Sequence, residues 1–139
     1  MERRSWYEFI KQNKFAILAT ISKSNSPQSA CVGIAVTPEL NLIFDTTTDS
    51  RKYQNLIHNP SVSFVIGWEH GKTMQYEGIA KHLDKEIPGE WLATYFEMFP
   101  DGIERKNDIR NITYFLVEPK WIRFSDFNPL PPEIEEMHF

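Results

Sequence analysis

The sequence predicts an α+β fold: a six-stranded, mostly antiparallel β-barrel with short flanking helices. Three observations carry this. Apolar periodicity along the chain reads helix, three strands, helix, two strands, helix, strand. The links between the first three strands are too short for a crossover helix, so these strands form a meander of antiparallel neighbours. The strands carry few polar faces, and a flat sheet of this kind would expose its edges, which a closed or nearly closed barrel avoids.

Each element has a local cause. Residues 3–13 place Trp6, Phe9, Ile10 and Asn13 at helical spacing, a short amphipathic helix. Phe15 to Ile21 is apolar, too short for a lone helix, and ends at the turn residues Lys23-Ser24-Asn25-Ser26-Pro27, so it is a buried strand. Ser29 to Val36, small and β-branched, is the second strand. Thr37-Pro38-Glu39-Leu40-Asn41 turns tightly into the third, Leu42 to Thr47. Asp49 or Ser50 caps a short helix with Tyr53, Leu56 and Ile57 on one face. His58-Asn59-Pro60 stops it, since the residue before a proline is pushed out of helical geometry. From Ser61 to Trp68 the chain alternates, with Val62, Phe64, Ile66 and Trp68 on one side. Glu69-His70-Gly71-Lys72 is a hairpin turn into a long fifth strand, Thr73 to Leu83. Pro88 suits the first turn of a helix bearing Trp91, Leu92, Tyr95, Phe96 and Phe99. Residues 101–111 are polar and read as a solvated loop, Asp101, Glu104, Arg105, Lys106, Asp108 and Arg110 included. Ile112 to Phe124 is the sixth strand, in which Pro119 requires a bulge or an edge position. Residues 128–139, opening with Asn128-Pro129-Leu130-Pro131-Pro132, read as an extended tail leaving the domain.

The 139 residues fit one domain, 1–139. Fifteen Lys and Arg against nineteen Asp and Glu give a net charge of −4, which argues against broad electrostatic binding to nucleic acid. No apolar run approaches the ~20 residues of a membrane helix, and the opening Met-Glu-Arg-Arg-Ser-Trp-Tyr lacks the apolar stretch of a signal peptide. Cys31 alone forms no internal disulfide, so a reducing, cytoplasmic setting is expected. It reads as a small core residue rather than a nucleophile, having no cationic neighbour in sequence. His58, His70, His82 and His138 show no metal-ligand spacing, so no metal is expected.

The most informative stretch is Phe44-Asp45-Thr46-Thr47-Thr48-Asp49-Ser50-Arg51-Lys52. A strand ends in hydroxyl residues, and a helix opens with Ser-Arg-Lys. Free N–H groups and the macrodipole make a helix start attractive to anions. Arg51 adds a planar fork and Lys52 a point charge, together suited to a phosphate dianion. Both side chains bending into solvent, with Asp49 neutralising one, accounts for the same residues.

This stretch resembles the phosphate-binding segment of the pyridoxamine 5'-phosphate oxidase-like, FMN-binding split barrels. In that family a strand ending in Phe/Tyr-Thr is followed by Ser-Arg-Lys at a helix start, an apolar helix and Asn-Pro. Here these are Leu42-Ile43-Phe44-Asp45-Thr46, Ser50-Arg51-Lys52, Asn55-Leu56-Ile57 and Asn59-Pro60. Leu18-Ala19-Thr20-Ile21 with Pro27 is similar to the family's first hairpin, Glu77-Gly78-Ile79-Ala80-Lys81 to its Gly-x-Ala strand, and Val117 to Phe124 to its last barrel strand. The likeness spans roughly residues 5–126.

The resemblance implies a split β-barrel homodimer with FMN at each subunit interface and a small-molecule substrate. Carried over by position, Arg51 and Lys52 would hold the phosphate, with Ser50 assisting. Asp45, Thr46 and Thr47 would follow the ribityl chain and ring edge. Cys31, Val32 and Gly33 would pass beside the isoalloxazine. Gln75 of the other subunit would donate to the ring, with Trp121 and Arg123 near it. Two family elements are missing. Ser29-Ala30-Cys31 lacks the oxidases' second-strand Arg, and Ser125-Asp126-Phe127-Asn128 stands where they carry Arg-x-His. An FMN-dependent oxidoreductase acting on some other small molecule is therefore the expectation. A non-catalytic flavin-binding protein, a deazaflavin or haem protein on the same fold, and a dimeric interaction module are the alternatives.

Overall fold

The computed structural model describes residues 2–83, 88–108 and 111–139. The elements are α1 (Arg3–Gln12), β1 (Phe15–Ile21), β2 (Pro27–Gly33), β3 (Ala35–Val36), β4 (Leu42–Thr47), α2 (Arg51–His58), β5 (Ser61–Ile66), β6 (Lys72–Leu83), α3 (Gly89–Met98), α4 (Gly102–Asp108), β7 (Ile112–Asp126) and β8 (Glu133–His138).

The strands form one sheet, ordered β2-β1-β5-β6-β7-β4-β3, with β8 also paired to β7. Every pairing is antiparallel. β2 and β3 follow each other in the chain yet stand at opposite ends of this order. The sheet therefore curls round, and the covalent link through Ile34 closes it where ladder bonds do not: a split barrel.

Strand alternation then decides what lies inside. Ala16, Leu18 and Thr20 of β1, Val62, Phe64 and Ile66 of β5, and Met74 and Tyr76 of β6 all turn inward and are buried. Trp6 and Ile10, one turn apart on α1, and Leu56 of α2 join them in the main core. The Tyr76 hydroxyl reaches Leu40 O at 2.8 Å and Val117 O at 3.2 Å, and burial pushes its ionisation far above the ordinary range. A second cluster lies outside the sheet, where Tyr95 and Phe99 cover Ala35, Ile43, Tyr114 and Leu116.

Several expectations change. The meander does not form: the β1–β2 and β3–β4 hairpins lie at opposite ends of the sheet. The single strand from Ser29 to Val36 is two, broken beyond Gly33. A Cβ at Gly33 would meet Phe99 Cζ at 2.5 Å, so the α3 end sits directly on the backbone there. Trp68 lies beyond β5 after Gly67 (φ 75°) and is exposed. On α2 the buried partner of Leu56 is Asn55, whereas Ile57 is exposed. The polar stretch 101–111 contains α4; Arg110 and the side chain of Asp108 lie outside the described residues. The tail does not leave. β8 pairs with β7 from Trp121↔His138 to Asp126↔Glu133, which with the split second strand makes eight strands of the expected six.

Pro119 marks where β7 changes partners. One edge of β7 pairs with β4 through Val117 and with β8 from Trp121. Pro119, which has no N–H to donate, falls in the gap between them. On the other edge the register slips, with Glu77 opposite Trp121 and Gly78 opposite Pro119, so the expected bulge is present.

Candidate functional site

α2 starts where β4 ends, and hydroxyl groups shape the join. Ser50 is the N-cap: its Oγ accepts from Tyr53 N at 3.1 Å and lies 2.7 Å from Thr46 Oγ1. Thr47 Oγ1 donates to Asp49 Oδ1 at 2.5 Å, and Ser50 N to Thr47 O at 3.1 Å. Asp49 is thus taken up by Thr47. Among the described residues it neutralises neither cation.

Arg51 is exposed and Lys52 half-buried. Together with Thr20, Gln28, Ser29 and Ala30 they line a pocket of about 130 Å³. The first turn of α2 carries no acidic residue. Two cations and free N–H groups at a helix start repel one another unless an anion lies between them. The donor set fits a phosphate dianion, and the pocket's size fits a phosphate better than an aromatic ring. Thr20 also lines a second cavity of about 390 Å³, walled by Ala19, Ile21, Ser63, Glu77 and Ile79 on the outer side of the sheet.

A second group of expected residues lies on that outer side. Cys31 pairs with Ile17, Ile17 with Val65, Val65 with Gln75, and Gln75 with Arg123, one cross-strand row over five strands. Trp121 stands in the next row, opposite Glu77. Arg123 Nε and Nη2 donate to Glu136 Oε1 at 2.8 and 2.5 Å, and its guanidinium lies 5.4 Å from the Trp121 ring. The Arg123 hydrogen bond holds the Glu136 carboxyl below the usual carboxylate range. The expectation that Cys31 is a core residue fails, because period 2 places Val32 inside and Cys31 outside, exposed. Gly33 lies beneath Phe99.

Asp45 belongs to neither group. It faces away from the main core, and its Oδ2 accepts from Arg105 Nη2 of α4 at 2.6 Å. The same Nη2 lies 3.3 Å from the Tyr95 hydroxyl. Burial pushes the neighbouring Tyr114 up to about 12. Arg105, expected in a solvated loop, therefore ties α4 to β4 beside the phosphate-type loop. Asp45→Ala is expected to lower stability by about 1–2 kcal/mol, less than for a fully buried pair because the Arg105 side chain is 37% exposed. Urea unfolding measures the loss, and hydrogen exchange should quicken in α4 before it does in β1. Unchanged α4 protection would mean the ion pair is incidental.

Sequence reasoning missed Thr20, Gln28, Asn55 and Arg105. Only Asn55 carried a signal, an amide beside the apolar Leu56 and one helical turn from Arg51. The others meet the site through register and docking.

The chain matches the family described as pyridoxamine 5'-phosphate oxidase over residues 4–126. A pyridoxine/pyridoxamine 5'-phosphate oxidase of Ehrlichia ruminantium (strain Welgevonden) is 30% identical over 95 residues, 64% of this chain and 49% of that protein. The chain spans about half the length of the curated relatives it matches. HutZ, the haem storage protein of Vibrio cholerae, shares the fold with a TM-score of 0.73 at 18% identity, over 84% of this chain and 89% of that one. So does a pyridoxamine 5'-phosphate oxidase-related, FMN-binding protein of Nostoc punctiforme PCC 73102, with a TM-score of 0.65 at 10% identity, over 99% and 90%. A match running from α1 to the end of β7, on a split barrel with these elements in this order, places the chain in the pyridoxamine 5'-phosphate oxidase family.

Proposed function

We propose that this protein binds FMN as a homodimer and acts as an oxidoreductase on a small molecule. The observation that carries the reading is the pair Arg51 and Lys52 in the first turn of α2, lining a phosphate-sized pocket without an acidic partner among the described residues. The similar Nostoc punctiforme protein, which is named FMN-binding, supports the choice of flavin. FMN supplies the redox chemistry; the protein contributes a phosphate grip, a wall for the ring and exclusion of water.

The ring is far larger than the phosphate pocket and needs further wall. The outer face around Ile17, Val65 and Gln75 supplies it, closed by a second copy. Phe15, Val65 and Trp68 are 53%, 39% and 54% exposed, apolar side chains that a second copy would cover. A two-fold pair makes two sites from one self-complementary patch. Gln75 then meets the ring held by the partner's phosphate pocket.

Pyridoxamine 5'-phosphate itself fits poorly as substrate. Ser29 and Ala30 of the pocket wall belong to the stretch Ser29-Ala30-Cys31 that lacks the oxidases' second-strand Arg, and Ser125 to Asn128 stands in place of Arg-x-His. A haem reading would call for an axial ligand. His82 Nε2 lies 2.6 Å from Thr113 Oγ1, with its ring packed against Tyr53 and Phe115, which favours a structural role. No general base is needed for hydride transfer at a flavin.

Sedimentation at low micromolar protein with excess FMN tests the flavin and the homodimer together. Flavin absorbance should travel with a species of twice the chain mass. A protein that binds no flavin would sink the reading. A monomer that carries one FMN would remove Gln75 and the partner from the site.

A further inference from the structure

The phosphate pocket has two unlike walls. Arg51 and Lys52 stand on α2, whereas the facing wall is neutral, made by the ends of β1 and β2. Thr20 and Gln28 are directly opposite one another in the β1–β2 ladder and both lie on its inner side. Asn55 sits one turn beyond Arg51 on the same face of α2, and only 6% of it is exposed. Its Nδ2 donates to Thr20 Oγ1 at 2.9 Å and to Gln28 Oε1 at 3.0 Å. Both amide hydrogens of a buried carboxamide are thereby used on the two strands that form the facing wall.

This strap has a chemical consequence. With its oxygen committed to Asn55, Gln28 keeps its NH2 end for whatever enters the pocket. Among the described residues nothing accepts from Gln28 Nε2. A carboxamide turned the other way would aim its carbonyl oxygen at an anion and repel it. A buried asparagine inside a helix face is unfavourable without full pairing, so its presence where Leu56 is the neighbouring buried residue calls for such a task. We propose that Gln28 is a further ligand of the bound phosphate, and that Asn55 is its positioning residue, holding the carboxamide with its donor end toward Arg51 and Lys52. The inference rests on the phosphate reading of that pocket.

Flavin fluorescence titrations of the full chain with FMN and with riboflavin, which lacks the phosphate, decide it. Gln28→Glu keeps the shape and the acceptor for Asn55 but sets a carboxylate against the phosphate. It should weaken FMN by roughly tenfold or more and change riboflavin by less than about twofold. Asn55→Asp withdraws both donated hydrogens, lets Gln28 turn its donor end toward the aspartate, and should show the same selective loss. A variant that lost FMN and riboflavin together would mean that Asn55 only holds the hairpin to α2. Gln28→Glu, at a half-exposed position, decides the proposal alone if Asn55→Asp does not fold. Selective loss of FMN in Arg51→Ala but not in Gln28→Glu overturns this inference and leaves the phosphate reading standing. No selective loss in either variant overturns both.

Discussion

Replacing Arg51 by alanine is expected to weaken FMN by roughly ten- to hundredfold, the equivalent of about 1.5–3 kcal/mol for a charge-assisted hydrogen bond. Riboflavin should lose far less. The reason lies in the geometry at the start of α2. Ser50 is committed to its cap and to Thr46, and Asp49 to Thr47, so these side chains shape the loop and leave the charge to Arg51 and Lys52. Arg51 offers two parallel donors, which lysine at the same position does not. Arg51→Lys should therefore recover only part of the affinity. Because the contact is to a solvent-accessible dianion, the gap between wild type and variant should narrow as salt is raised. Equal losses for FMN and riboflavin would place the phosphate elsewhere.

Phe44→Ala is expected to cost about 3–5 kcal/mol of stability, a large share of the ~5–15 kcal/mol typical of a domain. Phe44 is fully buried, stacks on Phe115 with centroids 5.4 Å apart and meets Phe64 edge-on at 6.1 Å. It also belongs to β4, whose next inward residue is Thr46, the partner of the Ser50 cap. The cavity thus opens beneath the join to α2. In urea the midpoint should fall with the slope unchanged, and Phe44→Leu, which refills most of the space, should recover more than half of the loss. On the proposed function, saturating FMN should restore part of the midpoint by mass action, since its site exists only in the folded chain. A loss under about 1 kcal/mol would mean that the sheet collapses into the space.

Sequence alone determined the parts of this protein whose physics is local. Alternation in Ser61 to Ile66 and helical spacing in residues 3–12 expose their periods directly, and the Asn-Pro at 59–60 ends α2 for steric reasons that need no partner. The Ser50 cap and the cations after it are equally local, because a helix start supplies its own donors and field. Pro119 announced an interruption in its strand for the same kind of reason, a missing N–H. Tertiary structure decided which strands meet. The β1–β2 and β3–β4 hairpins stand at opposite ends of the sheet, and the strand between them breaks where Phe99 lies against the Gly33 backbone, a contact across more than sixty residues that no local pattern carries. The tail read as leaving the domain because proline-rich residues have no ladder of their own. It returned as β8 because the edge of β7 beyond Pro119 had unpaired groups to offer. Arg105 looked solvated until α4 brought it to Asp45, and Cys31 looked buried until register turned it outward. Thr20, Gln28 and Asn55 became one unit only because β-register and helix docking placed three distant residues within hydrogen-bond reach, and hydrogen bonds act over about 3 Å in space whatever the separation along the chain.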